Sequence, residues 1–206
     1  MGLKRTGPAP DATAPPQRPM QAVRQPAELG AGTAAERREA ARELSRRPDT
    51  SDAIGAQLLT EPDASVREAL FTGLRHQASA GAAAALIGLL SSEDAGLRNG
   101  AIEALSAMPE AVAPRMKALL RDTDPDVRIF AVNLLVELQH PDLVVWLVDA
   151  LAQETQVNVV AAAIDVLAEV GGPEQHPLLR GLAARFPDDP FIGFAVDMAL
   201  SRSEAA

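Results

Sequence analysis

One unit of about 30 residues recurs along the chain, and this repetition constrains the fold more than any other feature. Three stretches show it best: PDASVREALFTGL from Pro62, EDAGLRNGAIEAL from Glu93 and TDPDVRIFAVNLL from Thr123. Each has an Asp, an aliphatic anchor three positions later, an Arg directly after the anchor and a Leu eight positions after it. Counting two weaker copies, the anchors are spaced 31, 30, 32 and 33 residues apart: Val66, Leu97, Val127, Val159 and Ile192. A fixed period of this length predicts an array of stacked repeats.

Each period contains two helical patterns. The second begins at the anchor, behind an Asp or Asp-Pro that suits a helix N-cap and first turn. Its apolar residues at positions 0, +4 and +8 from the anchor form one face, and small residues occupy +3 and +7. The first pattern contributes leucines ahead of the anchor: Leu58, Leu59, Leu89, Leu90, Leu119, Leu120 and Leu151. Neither helix hides its apolar face alone, so neighbouring repeats must stack into a continuous core. A charged helix over residues 33–47 is expected to cap the N-terminal end.

The composition agrees with an all-α fold and excludes several classes of protein. There are five Phe, one Trp and no Tyr among 206 residues, whereas strand-rich folds favour aromatic residues. A net charge of −9 argues against a nucleic-acid-binding protein. No run of about 18 apolar residues is present to span a membrane, and no secretory signal begins the chain. We therefore expect a cytoplasmic protein with no nucleic-acid or membrane partner, and the excess of Arg over Lys suggests a bacterial source.

Residues 1–32 differ from the rest of the chain. They hold six of the 16 prolines and almost no apolar periodicity, so we predict a disordered tail. PQRP from Pro16 fits either a polyproline ligand or a plain linker. The tail has a charge of +2, which leaves −11 for the remainder: Lys4, Arg5, Arg18 and Arg24 against Asp11 and Glu28. It could fold back on the acidic body or reach a second partner.

The repeat unit resembles a known family. D-x-D-V-R followed by A-x-x-x-L resembles the HEAT repeat, and TDPDVR from Thr123 is the clearest copy. The short period is similar to the bacterial, phycobilisome-lyase-type HEAT-like repeat. The resemblance covers residues 49–203. It implies a right-handed, armadillo-like α-solenoid, a superhelix of about five two-helix repeats over residues 33–206. Members of this family bind proteins, bilins, nucleic acids or metals, so the resemblance implies no single function.

In the family, the repeated Asp and Arg form a ladder along the turns between repeats, and the resemblance implies a structural role for them here. The Asp is present in the first three repeats and again in the fifth, whereas the fourth has Gln156. The Arg is present in three repeats and is replaced by Val160 and Gly193 in the last two. The matching residues are Asp63, Asp94, Asp124, Asp189, Arg67, Arg98 and Arg128.

The residues that carry out catalysis or bind metals are mostly missing. There is no Cys, no HExxH and no Gly-x-Ser-x-Gly. The three histidines, His76, His140 and His176, lie near turns, and no two share a helix at a four-residue spacing. We therefore predict no enzyme activity, no cofactor and no metal site.

Binding would then depend on the surface. In HEAT-type arrays the second helices line the concave side, where positions +2, +6 and +9 are exposed by helical geometry. Apolar residues there flank a polar track, which suits a basic or amphipathic partner segment. The alternative is that neighbouring helices shield these residues, because the register is uncertain. The predicted partner-binding residues are Glu103, Ile129, Asn133, Val136, Asp165, Phe194 and Met198.

A second candidate surface is the apolar stretch LVVWLV from Leu143. Trp146 and Val148 stand where the preceding repeat has Arg115 and Lys117, which predicts that they face outward and could support self-association. The alternative is that Trp146 tucks under the following repeat.

The sequence thus favours a non-catalytic adaptor or scaffold that binds a partner protein. One alternative is a tetrapyrrole (bilin) lyase or pigment-assembly chaperone, which only the repeat subtype suggests. Another is a nucleic-acid binder acting through the tail, for which binding would weaken strongly with salt.

Overall fold

The computed structural model of the protein describes residues 29–138 and 140–205, and every regular element in this part of the chain is helical. The α-helices are α1 Ala34–Leu44, α2 Ser51–Leu58, α3 Ala64–Gln77, α4 Ala80–Ile87, α5 Ala95–Ser106, α6 Pro109–Val112, α7 Met116–Leu119, α8 Pro125–Leu138, α9 Leu143–Leu151, α10 Val157–Val170, α11 His176–Arg185 and α12 Pro190–Ala205. Short 3-10 turns lie at Pro48–Thr50, Ala113–Arg115 and Pro173–Gln175. None of the described helices combines the length and apolarity that crossing a membrane requires.

The helices form five stacked repeats. Each has a short first helix (α2, α4, the α6–α7 pair, α9 and α11) and a longer second helix (α3, α5, α8, α10 and α12). Each second helix packs along the second helix of the next repeat, and the first helices stack likewise from α2 to α4 to α6 and from α7 to α9. In the third repeat the first helix is broken at Ala113–Arg115, where Pro114 supplies no backbone donor. The predicted α-solenoid is confirmed.

The core follows the predicted periodicity. All five anchors are buried, with at most 4% of their surface exposed. The small residues at +3 and +7 allow adjacent second helices to approach closely: an added Cβ at Gly100 would lie 2.5 Å from the ring of Phe71. The leucines of the first helices are buried as expected except Leu59, which is 58% exposed.

Side-chain caps begin most of the second helices. The carboxylate of Asp63 accepts hydrogen bonds from the backbone N–H groups of Ser65 and Val66, at 2.9 and 3.1 Å. The aspartates of the second, third and fifth repeats accept equivalent bonds. Gln156 provides no side-chain cap in the fourth repeat. An N-cap of this kind contributes about 1 kcal/mol, so the repeated Asp has a structural role.

The N-terminal capping helix is present as α1. Thr33 and Glu36 form a capping box, and the helix packs on α3 through Ala40, Ala41 and Leu44. Leu29, which lies before the predicted boundary at residue 33, is only 2% exposed. Residues 1–28 lie outside the described residues, so the disordered tail and its polyproline motif stay predictions.

The close packing of α2 on α4 generates a test. A Cβ at Gly55 would lie 2.8 Å from the Cβ of Ala85, and neither atom can rotate away. We expect Gly55→Ala to lower the free energy of unfolding by about 1–3 kcal/mol, measured by urea denaturation followed by circular dichroism.

Gly181→Ala is the matched control, because Gly181 also lies within a helix but nothing is within 4 Å of its added Cβ. This change should stabilise the protein by about 0.5–1 kcal/mol through helix propensity. Equal effects of the two substitutions would contradict the tight α2–α4 contact.

Candidate functional site: the second-helix face

Positions +2, +6 and +9 of the second helices form one continuous surface, which we call the second-helix face. Glu103, Asn133 and Asp165 are exposed on it. Phe194 and Met198 are 62% and 49% exposed at its C-terminal end. The predicted helix register is therefore confirmed at these five positions.

The apolar members in the third repeat are less accessible than predicted. Ile129 and Val136 are half-buried and pack against the core, and Ala161 at the equivalent position of the fourth repeat is 8% exposed. The neighbouring second helices cover part of these side chains. Ile129 and Val136 therefore offer only edges to a partner, between the more exposed polar residues.

Two acidic residues that the sequence analysis missed extend the polar track. Glu137 and Glu169 occupy position +10 of the third and fourth repeats, and both are exposed. Position +10 lies on the same side of a helix as +6, so the four-residue offset in the sequence could have identified them. The centre of the second-helix face therefore has four carboxylates rather than two.

These four carboxylates are largely unpaired within the described part of the chain. Glu103 lies 3.6 Å from the guanidinium of Arg75, but it is 77% exposed, so this ion pair is weak. Glu137, Asp165 and Glu169 form no ion pair with a described cation. Carboxylates that stabilise nothing in the fold are available to a cationic partner.

Open cavities occur along this surface. One of about 400 Å³ lies between α5 and α8 and is lined by Asn99, Ile102, Glu103, Ser106 and Glu137. Another of about 720 Å³ lies between α1 and α3, where Arg42, Arg46 and His76 are among the lining residues. The cavity beside α1 is therefore mainly basic, whereas the second-helix face is acidic across the middle repeats and apolar at α12.

Trp146 is buried, contrary to the prediction that it faces outward. It is 6% exposed, and its indole stacks on the imidazole of His140 with ring centroids 4.4 Å apart. The expectation that it faces outward is wrong, and Val145 takes the outward position instead, at 56% exposure. Trp146 borders a crevice with Lys117 and Leu120 of the preceding repeat. Self-association through an exposed Trp146 consequently has no structural basis.

The ladder between repeats is present in an altered form. Arg67 binds Asp94 of the next repeat at 2.7 Å, as the family pattern implies. Arg128 instead binds Glu154, through Nε at 2.7 Å and Nη2 at 3.1 Å. Arg98 donates to the carbonyl of Ser92 at 2.6 Å.

The ladder of arginine–carboxylate pairs begins at α1, a further copy of the second helix that was not predicted from the sequence. Thr33 and Arg37 stand 30 residues before Asp63 and Arg67. Arg37 binds Glu61 through two hydrogen bonds of 2.9 and 2.7 Å, as Arg128 binds Glu154. The 30-residue spacing to Asp63 and Arg67 was visible in the sequence. It was overlooked because Glu36 occupies the position of the aliphatic anchor.

Glu61 and Glu154 are the buried carboxylates of the ladder, at 0% and 9% exposure. Each lies two positions before the N-cap residue of a second helix, Asp63 or Gln156. Glu61 accepts a hydrogen bond from the backbone N–H of Asp63, and Glu154 accepts them from Thr155 and Gln156. The bond from Arg37 lowers the pKa of Glu61 despite burial. For Glu154, burial raises the pKa, but the bonds from Arg128 and the backbone outweigh it, so the net pKa is lowered.

His140 and His176 form other contacts, and the described histidines do not come together as metal ligands. His176 lies 3.0 Å from the hydroxyl of Ser203, and His140 accepts a bond from the backbone N–H of Asp142. No group of three potential ligands comes together among the described residues.

These observations define an α-solenoid repeat protein with an exposed, charged second-helix face. The family model for HEAT repeats matches residues 51–117 and 112–192, which together are more than half of the chain. The chain therefore belongs to the HEAT-repeat family. Proteins with this fold are commonly scaffolds for protein interactions and are generally not enzymes.

Several solved structures are similar to this chain. One engineered protein, known from its crystal structure, is 20% identical and has a TM-score of 0.42, with 88% of this chain and 97% of its own chain covered. A designed armadillo repeat protein is 16% identical with a TM-score of 0.40, covering 86% of this chain and 97% of its own. A comparison with curated proteins finds no match.

The buried carboxylates predict a pH-dependent stability. Because folding lowers the pKa of Glu61 and Glu154, their contribution is complete at neutral pH and is lost as the pH falls below the ordinary glutamate value of 4.5. We expect Glu61→Gln or Glu154→Gln to cost about 1–3 kcal/mol at pH 7, measured by urea denaturation.

The difference from the parent protein should shrink as the pH is lowered through 4.5 towards 3, because the parent carboxyl then becomes neutral too. Glu169→Gln, at an exposed position, should have little effect at either pH. A pH-independent cost at Glu61 would argue that shape rather than charge stabilises this turn.

Trp146 predicts a spectroscopic result. It is the only tryptophan in the chain, so intrinsic fluorescence reports on the fourth repeat alone. We expect the blue-shifted emission of a buried indole, with little quenching by iodide until urea unfolds the protein. Red-shifted emission and strong quenching in the native protein would contradict the buried placement.

Proposed function

We propose that this protein is a non-catalytic adaptor that binds a basic or amphipathic segment of another protein along its second-helix face. The single observation that supports this most directly is the row of exposed carboxylates in the second, third and fourth repeats. Glu137, Asp165 and Glu169 have no cationic partner among the described residues, and they lie on adjacent helices.

The spacing of the carboxylates suits a peptide-sized ligand. Packed helices lie about 8–10 Å apart, so the three acidic repeats extend over roughly 20 Å. A segment of about four helical turns covers that length and presents Lys or Arg at i, i+3 and i+4 on one side. Its apolar residues would meet the exposed edges of Ile129 and Val136. Such a contact is steered by charge and is weakened by salt.

No observation favours a second function. The tetrapyrrole-lyase alternative rests on the repeat subtype, and the nucleic-acid alternative rests on the tail outside the described residues. Both remain predictions.

The test uses charge reversal at exposed positions, which spares the core. We expect the full chain to capture a partner from host lysate, and Glu103→Arg combined with Asp165→Arg to weaken that partner's binding at least about tenfold by removing electrostatic attraction. Affinity pull-down with quantitative mass spectrometry, followed by titration of the purified partner, measures this effect.

The matched control reverses two exposed carboxylates on first helices, Glu110→Arg with Asp149→Arg. It changes the net charge equally but leaves the second-helix face intact, so the same partner should still bind. Equal loss with both double variants would indicate a general charge effect, and no loss with either would place binding elsewhere. Either outcome overturns the proposed surface.

A further inference from the structure

Helix α12 has a row of exposed, mostly apolar side chains that do not pack against the core. Phe191, Phe194 and Met198 are 59%, 62% and 49% exposed. Spacings of three and four residues place them on one side of α12 together with Arg202, which is also exposed. We call these four residues the α12 stripe.

The opposite side of α12 is what attaches it to the body. Ile192, Val196 and Ala199 are buried, and α12 packs on α10 and α11. The hydroxyl of Ser203 lies 3.0 Å from the imidazole of His176, which secures the last turn. The α12 stripe is therefore free to contact another molecule without any change in the fold.

The charges at the two ends of the stripe are complementary to each other. Asp188 lies just before the helix and Arg202 lies in its last turn, and both are exposed. Neither forms an ion pair or a side-chain hydrogen bond within the described part of the chain. They are too far apart to meet within one molecule, because the helix between them rises about 1.5 Å per residue.

We propose that two copies of this chain pair through antiparallel packing of their α12 helices. An antiparallel two-fold axis near residue 196 places Phe194 of each copy on Met198 of the other, a favourable aromatic–sulfur contact. The same axis places Arg202 of each copy beside the first turn of the other, close to Asp188. The contact is thus self-complementary, as an isologous interface requires.

The area of the stripe predicts a weak dimer. An aromatic or Met side chain offers on the order of 200 Å², so the three apolar residues at the stated exposures bury about 700 Å² in both copies together. Stable interfaces bury about 1,200–2,000 Å². We therefore expect a dissociation constant of about 100 µM and a concentration-dependent equilibrium.

This inference does not depend on the adaptor function. Phe194 and Met198 also form the C-terminal end of the second-helix face, so pairing would cover that end and leave the acidic middle repeats open. Dimerisation is measured on the purified chain without a partner. Its failure is therefore distinguishable from failure of partner binding.

Sedimentation equilibrium of the full chain from about 1 µM to 1 mM tests the proposal. We expect a monomer–dimer equilibrium that Phe194→Glu weakens at least tenfold. Val145→Glu is the matched control, because Val145 is 56% exposed on α9 and should have no effect. A monomer at every concentration, or equal effects of the two substitutions, overturns the proposal and leaves the stripe to a different occupant.

A charge swap tests the antiparallel arrangement. Arg202→Glu and Asp188→Arg should each weaken the dimer several-fold, because each places like charges together. The combined variant should restore it, since the exchanged charges again attract. If the single variants weaken the dimer and the combined variant does not restore it, the antiparallel arrangement is overturned. As a control, Glu103→Arg with Asp165→Arg should leave the dimer unchanged.

Discussion

The apolar face that every helix leaves uncovered is the constraint on which the rest of the structure depends. A second helix buries its anchor and the residues at +4 and +8 against a first helix, but its flanks at +3 and +7 require the neighbouring repeat. Gly100 on a second helix and Gly55 on a first helix show how close the contacts between repeats are, since an added Cβ would lie 2.5 Å from Phe71 and 2.8 Å from Ala85 of the neighbouring repeat, respectively. Stability therefore comes from contacts between repeats, and the outward positions are released from any role in the core.

The turns between repeats add a polar counterpart to this stacking. Arg37 with Glu61 and Arg128 with Glu154 are paired in the same bidentate geometry, and both carboxylates also cap backbone donors. A buried carboxylate is tolerated only where it is paired and hydrogen-bonded, and here it links one repeat to the next. The strongest ionic interactions thus lie at the repeat boundaries. On the second-helix face, Glu137, Asp165 and Glu169 form no ion pair with a described cation, and the pair of Glu103 with Arg75 is weak and exposed.

Much of the second-helix face could be predicted because helical periodicity determines which side chains point outward. Glu103, Asn133 and Asp165 are where the repeat alignment places them. Trp146 was harder to predict, because every residue of α9 except Asp149 is apolar, so a single polar side chain marks its exposed face. Its orientation depends on packing against the third repeat and on the stacked ring of His140.

The amino-acid sequence by itself determined the all-helical solenoid, the number of repeats and the Asp caps, since all three follow from local spacing and from residues a few positions apart. Only the tertiary structure decided which carboxylate pairs with Arg67 and with Arg128, because Asp94 and Glu154 occupy different positions in their turns and stacking brings each one to the arginine of the preceding repeat. It also decided that Trp146 is buried, whereas the exposure of Phe194 and Met198 follows from their positions in the repeat. Periodicity specifies the faces of a helix, but the neighbours that cover each face are brought together only when the repeats stack.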